Sequence, residues 1–189
     1  MILIINICNN LLHYQEFVRP IEDIIRNTEE PFITKHYTEL TSKDVNDSHK
    51  IIITGTSLQD FEYSKHLDKF KFISDELLKN DSSKKPILGI CGGMQILCLM
   101  RGCKLVKGLE IGLIKAKFSA EFLGMNGEKD VYSLHNMVVK KDNALEKHFH
   151  IYASTKYVQA VKDKHYKIYG VLFHPEVRNK DIILRFLCV

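Results

Sequence analysis

The sequence predicts an α/β protein with a mostly parallel central sheet, helices on both faces, and antiparallel strands in its second half. Three observations point there. Short apolar runs alternate with helix-like stretches through roughly the first half of the chain, the habit of parallel sheets with crossover helices. The runs Ile51-Ile52-Ile53 and Ile87-Leu88 are continuously apolar, as strands buried on both faces must be. After Gly102 the pattern changes to short alternating segments with turns between them, which reads as antiparallel pairing.

Taken in order, Ile2–Ile7 is the first strand and His13–Asn27 the first helix. Phe32–Tyr37 and Ile51–Thr54 are further strands, and Tyr63–Lys79 is helix-like. The polar stretch Asn80–Lys85 serves as a loop before the strand Pro86–Ile90, and a helical apolar pattern follows at once. Short strands are then expected at Lys104–Val106, Ile111–Phe118, Val131–His135, Val138–Lys140, His150–Ser154 and Val158–Lys162. Parallel character returns at Ile168–Phe173, ahead of a short final helix. With 189 residues and no linker, repeat or low-complexity segment, one domain spanning 1–189 is expected.

Composition narrows the function classes. Apolar content of 45% and charged content of 26% are ordinary for a globular protein. The formal net charge is +4 and the lysines are scattered, without a basic stripe interleaved with aromatics, so nucleic acid is not an expected partner. The five cysteines, at 8, 91, 98, 103 and 188, are odd in number and irregular in spacing. That argues against a disulfide framework, and no CxxC pair suggests zinc. His148 and His150 form an H-x-H without a third ligand, so no metal is expected. No apolar run reaches membrane-spanning length, and Met1–Ile7 is too short for a signal peptide. A reducing cytoplasm is the expected compartment.

The segment Pro86–Met100, PILGICGGMQILCLM, carries the chemistry. An apolar strand ends at Gly89-Ile90-Cys91-Gly92-Gly93 and a helix begins immediately. A nucleophile displayed on a sharp strand-to-helix turn needs small neighbours, because its backbone is strained and the helix packs close on the strand. A helix N-terminus aimed at the thiol favours thiolate, the reactive form. Cys98 and Cys103 share helical spacing with Ile96, Leu97 and Met100 and read as packing residues. Near the C-terminus, Tyr169–Val177 reads YGVLFHPEV. There a strand delivers His174, a proton carrier near neutral pH, and Glu176 two residues on can hold its imidazole in one tautomer. Open α/β sheets place ligands at the carboxyl ends of their strands, and Thr54-Gly55-Thr56-Ser57 ends a third strand.

Together GICGGMQ and FHPEV resemble the signatures of the class I, or triad, glutamine amidotransferases, and the likeness runs the whole length of the chain. The HPEV form and Glu110-x-Gly112 lean towards the branch that supplies GMP synthase with its glutaminase. The resemblance implies a flavodoxin-like amidotransferase fold, L-glutamine as substrate, and a catalytic triad of Cys91, His174 and Glu176. It implies a thioester on Cys91 and an oxyanion held by the N–H of Gly92 and by the turn at Gly55 and Thr56. It also gives Gln95 a hydrogen bond to the substrate, and gives Leu134, His135, Asn136 and Met137 the grip on its amino and carboxylate ends. The family turn is usually S-G-G-P. Here threonine replaces the second glycine and the proline is gone. Threonine resists positive φ, so a flip of this turn would cost more.

The resemblance further implies that ammonia passes to a separate ATP-dependent synthetase, with ATP and Mg bound on that partner and no cofactor in this chain. No P-loop occurs here. Two other readings stay open at this point: a free-standing hydrolase of γ-glutamyl bonds using the same triad, and a regulatory or binding domain with weakened catalysis.

Overall fold

In the computed structural model, which describes residues 1–78 and 85–189, a nine-stranded sheet organises the chain. Its strands are β1 (Ile2–Asn6), β2 (Phe32–His36), β3 (Lys50–Ile53), β4 (Ile87–Ile90), β5 (Leu105–Phe122), β6 (Met125–Val139), β7 (Phe149–Ser154), β8 (Val158–Asp163) and β9 (Ile168–Val171). The spatial order is β2-β1-β3-β4-β9-β8-β7-β5-β6. The first five in that order pair in parallel and the rest antiparallel. The helices are α1 (Leu11–His13), α2 (Arg19–Arg26), α3 (Ser42–Asp47), α4 (Lys71–Leu78), α5 (Gly92–Met100), α6 (Asn143–His148) and α7 (Asp181–Leu187), with a π-helical turn at Tyr14–Val18 joining α1 to α2.

Strand residues alternate between two apolar cores, following the two-residue period of a pleated sheet. Ile4, Ile52, Leu88 and Ile90 face Phe17, Ile21, Ile25 and Phe186, which come from the π turn, α2 and α7. Ile5, Ile53 and Ile87 face Val45, Phe70, Ile73, Ile96 and Leu97 on the other side. Burial of each such side chain contributes about 1.5–3 kcal/mol. The inner parallel strands β1, β3 and β4 are buried on both faces, so their aliphatic runs carry no polar alternation, whereas the edge strand β2 is half-buried.

The second half differs from the sequence expectation in how its strands are divided. The short strands anticipated at 104–106 and 111–118 are one strand, and those at 131–135 and 138–140 are another. They form a long two-stranded ribbon closed by Leu123 and Gly124, both at positive φ (48° and 83°), the geometry of a tight two-residue hairpin turn. Bulges between Lys107 and Glu110 and between Phe118 and Phe122 interrupt its register. Exposed aliphatics at Leu109, Ile111 and Leu113 hide the pairing from a pattern reading. The anticipated helix over 63–79 begins instead as 3₁₀ turns at Glu62–Lys65 and Leu67–Phe70. Its last residue, and all but the last residue of the loop expected over 80–85, lie outside the described residues. α3 and α6 were not anticipated. They are single-turn helices held by Thr41 in a reciprocal capping box with Asp44 and by the Asp142 side chain.

Candidate active site

Strands β3, β4 and β9 are neighbours, so their carboxyl ends converge. Cys91 follows β4 directly with φ 48° and ψ −104°, a conformation that costs a non-glycine residue on the order of 1–3 kcal/mol. Two backbone bonds hold it there: its N–H donates to Val171 O at 2.7 Å, and its carbonyl accepts from Gln95 N–H at 3.1 Å. The helix that follows lies so close to β3 that a Cβ at Gly93 would sit 2.2 Å from the Ile53 carbonyl oxygen. The thiol is buried and points at the Leu134 carbonyl, 3.6 Å away.

His174 is fully buried, with its backbone N–H on the Tyr132 carbonyl at 2.8 Å. Its Nδ1 lies 2.7 Å from Glu176 Oε1. That contact makes Nδ1 the proton-bearing nitrogen and leaves Nε2 free of hydrogen-bond partners among the described residues. Burial opposes the imidazolium, but the carboxylate of Glu176 and the sulfur of Cys91 outweigh it and hold the ring's pKa well above 6.5. Phe17 packs on the imidazole with ring centroids 5.3 Å apart. Gly55 lies against the pair from β3. A Cβ there would fall 2.7 Å from His174 Cε1 and 3.3 Å from Cys91 Cβ, so the turn at Gly55, Cys91 and the histidine are in close contact.

A narrow cleft opens beside the thiol, and Thr56, Gly92, Gln95, Leu134, His135 and Asn136 all line it. Gln95 is buried rather than a surface cap. Its Oε1 accepts from Tyr63 Oη at 2.7 Å, and its Nε2 donates to the Met137 carbonyl at 2.9 Å. Asn136 donates to the Leu58 carbonyl across the cleft at 3.1 Å. His135 contributes backbone to the cleft wall while its ring is engaged behind it: Nδ1 meets Gly108 O at 3.0 Å and Nε2 meets Glu110 Oε2 at 3.2 Å. A carbonyl can only accept, so Nδ1 donates, and one proton must also lie between Nε2 and Glu110. Burial lowers the His135 pKa, partly offset by Gly108 and Glu110. Glu110 is further tied to Thr155 and Gln159 at 2.8 and 2.7 Å. The ring thus braces the wall.

Larger hollows lie elsewhere, one lined by Tyr152, Tyr169 and Arg185 and one by Pro20, Ile24 and Leu184, away from the thiol. Tyr63, Phe17, Cys8, His13 and Asp60 escaped the sequence reading. Apart from the local Thr56–Asp60 bond, each acts through a partner at least 32 positions away, and no local pattern marks such pairs. Among the described residues no group of three metal-ligating side chains comes together, and no helix is long and apolar enough to cross a membrane.

A strained cysteine beside a buried His–Glu pair is shared by more than one hydrolase family, and the sequence comparison decides between them. Residues 71–184 match the glutamine amidotransferase class-I family. The chain belongs to that family. Residues 20–109 also match the CobB/CobQ-like glutamine amidotransferase domain. Over 105 residues the chain is 38% identical to a glutamine-hydrolysing GMP synthase of Staphylococcus saprophyticus and 37% identical to one of Staphylococcus aureus. Those alignments take in 51% of this chain and 19% of each relative, so the chain matches about a fifth of the length of these curated relatives. Among solved structures, a putative GMP synthase subunit from Thermoplasma acidophilum superposes with a TM-score of 0.79 at 23% identity, covering 99% of this chain and 92% of the other. A glutamine amidotransferase from Thermotoga maritima gives 0.70 at 22% identity, covering 98% and 80%. At these identities the likeness concerns the fold, which is that of this amidotransferase family.

Proposed function

We propose that the chain hydrolyses the side-chain amide of L-glutamine through a thioester on Cys91 and passes the ammonia to a separate synthetase. The observation that carries this is the strained Cys91 elbow next to the buried His174–Glu176 pair at 2.7 Å. Cys91 attacks the amide carbon. His174 Nε2 delivers a proton to the departing ammonia and then takes one from the water that opens the thioester, while Glu176 keeps Nδ1 protonated and stabilises the cation. The N–H of Gly92, at the start of α5, and the Gly55–Thr56 turn receive the oxyanion, where each donor is worth about 2.7–4 kcal/mol in the transition state. Gln95 and the segment Leu134–Met137 hold the rest of the substrate.

The names of the curated relatives support amination of xanthosine monophosphate to GMP as the reaction that consumes the ammonia. ATP and Mg would then bind on the synthetase and not on this chain. Five free cysteines agree with a reducing, cytoplasmic setting. The test is ammonia release from glutamine by the isolated chain and by its mixture with a GMP-forming synthetase, ATP, Mg and xanthosine monophosphate. GMP formed from glutamine only when this chain is present supports the reading. Absence of hydrolysis under both conditions, with Cys91 unlabelled by a glutamine-mimicking chloroketone, refutes it.

A further inference from the structure

The turn that follows β3, Thr54-Gly55-Thr56-Ser57, is bound more heavily than a surface turn. The Thr56 hydroxyl donates to Asp60 Oδ2 at 2.7 Å. The same oxygen accepts the Asn9 N–H at 3.1 Å and faces His13 Nδ1 at 2.6 Å. His13 is fixed in turn by Asn10, whose side chain accepts the His13 N–H at 3.0 Å and caps α1. From the other side, Cys8 Sγ donates to the Gly55 carbonyl at 3.6 Å. Burial pushes the Cys8 thiol up to about 12, so it remains a donor.

These bonds fix a direction. The Gly55 carbonyl and the Thr56 N–H belong to one trans peptide and point opposite ways. The carbonyl is turned to Cys8, which does not line the cleft. The N–H belongs to Thr56, which does, and it meets no acceptor among the described residues. Asp60 and Thr56 are both nearly inaccessible, so an unpaired Asp60 carboxylate there would be costly and the arrangement is strongly preferred. Thr56 is also absent from the residues at positive φ, so the threonine sits without strain in this orientation.

We propose that Asp60, with His13 and Cys8, is a positioning residue that latches the Gly55–Thr56 peptide with its N–H aimed at the oxyanion. The inference rests on the glutaminase reading above. Asp60 also lines the cleft, but its Oδ2 is engaged by Thr56, Asn9 and His13, so the latch acts through Thr56 and Gly55. Its loss leaves glutamine binding in place and removes part of the transition-state stabilisation, since a displacement of about 1 Å in such a group can cost on the order of 10²-fold.

The test compares wild type with Asp60→Ala, His13→Ala, Thr56→Val and Thr56→Ser. Each is followed by kcat and KM for glutamine and by amide hydrogen exchange over residues 54–60, with melting temperature as the fold control. Expected are falls in kcat of about 10- to 100-fold for Asp60→Ala and Thr56→Val with KM changed less than threefold, a smaller fall for His13→Ala, and a Thr56→Ser value well above that of Thr56→Val. Exchange at residue 60, whose N–H donates to the Ser57 carbonyl at 3.2 Å, should rise at least tenfold in Asp60→Ala while α5 stays protected. Unchanged exchange in that turn overturns the latch whether or not the wild type hydrolyses glutamine. An active wild type whose Asp60→Ala variant keeps its kcat, or loses activity only through KM, overturns it as well. A wild type without activity, but with Asp60-dependent exchange, refutes the glutaminase reading and leaves the latch as a purely structural one.

Discussion

Gly55→Ala separates geometry from chemistry, because it adds one methyl group and removes no functional atom. Gly55 is not at positive φ, so alanine suits the backbone and the cost is steric. The new Cβ would stand 2.7 Å from His174 Cε1 and 3.3 Å from Cys91 Cβ, where carbon atoms normally rest about 3.5–4.0 Å apart. The imidazole must therefore retreat by roughly 1 Å. It has little room: Phe17 packs on it at 5.3 Å between centroids, Glu176 holds Nδ1 at 2.7 Å, and the ring is fully buried. Overpacking of this kind costs about 1–3 kcal/mol of stability, a fall of roughly 2–12 °C in Tm at this chain length. A shift of about 1 Å between proton carrier and nucleophile should lower kcat about 10²-fold, or about 2.7 kcal/mol in the barrier. The assay is steady-state ammonia release at 25 °C beside a thermal melt. A folded Gly55→Ala enzyme with kcat within threefold of wild type would refute the placement of Gly55 against the catalytic pair.

Cys91→Ser should abolish glutamine hydrolysis with melting temperature nearly unchanged, whereas Cys98→Ser and Cys103→Ser should retain it; mass spectrometry should find a glutamine-like chloroketone on Cys91, and a label on another cysteine would count against the assignment. His174→Ala should lose about 10²–10⁴-fold in kcat and Glu176→Gln less, because the histidine moves protons in both half-reactions and the glutamate only orients it. The pKa of His174 is raised against the opposing effect of burial, by Glu176 and then Cys91, so the charged pair stabilises the fold fully below about pH 6.5 and loses that contribution as pH rises through the higher folded value. The Tm difference between wild type and Glu176→Gln should therefore be widest near pH 6 and close towards alkaline pH, and a gap that grows with pH would contradict the pairing.

The parallel half of the sheet was legible because burial on both faces leaves one signature, an unbroken aliphatic run. Ile51–Ile53 and Ile87–Ile90 needed no partner to be recognised. The ribbon of β5 and β6 was not legible as two strands. Its exposed Leu109, Ile111 and Leu113 and its bulges break the alternation that a half-buried strand would display. At the site, Cys91, His174 and Glu176 were legible because they sit in the glycine-rich and His-x-Glu segments that carry the resemblance to the family. The supports were not. Tyr63 reaches Gln95 across 32 positions and His13 reaches Asp60 across 47, and each sits in a segment with no composition of its own. His135 shows the opposite limit: its place in the cleft wall was legible, but its ring turned to Glu110 depends on a register, Glu110 opposite His135, that only the ribbon supplies.

That dependence on register extends to the chemistry. Cys91 and His174 follow adjacent parallel strands, and Ile90 pairs with Val171 in the last rung before both segments leave the sheet. The Val171 carbonyl then takes the Cys91 N–H at 2.7 Å, so the strand that delivers the histidine also fixes the elbow. On the opposite side, Gly89 pairs with Ile53, which brings Gly55 to the thiol two residues later. A slip of one residue in either pairing would turn every side chain to the other face. In this sheet it would move isoleucines between two different packed cores, each lined by its own helices. The aliphatic runs of β3 and β4 therefore do more than fill the interior. By making each register unique, they hold Cys91, His174 and the Gly55–Thr56 turn within reach of one another.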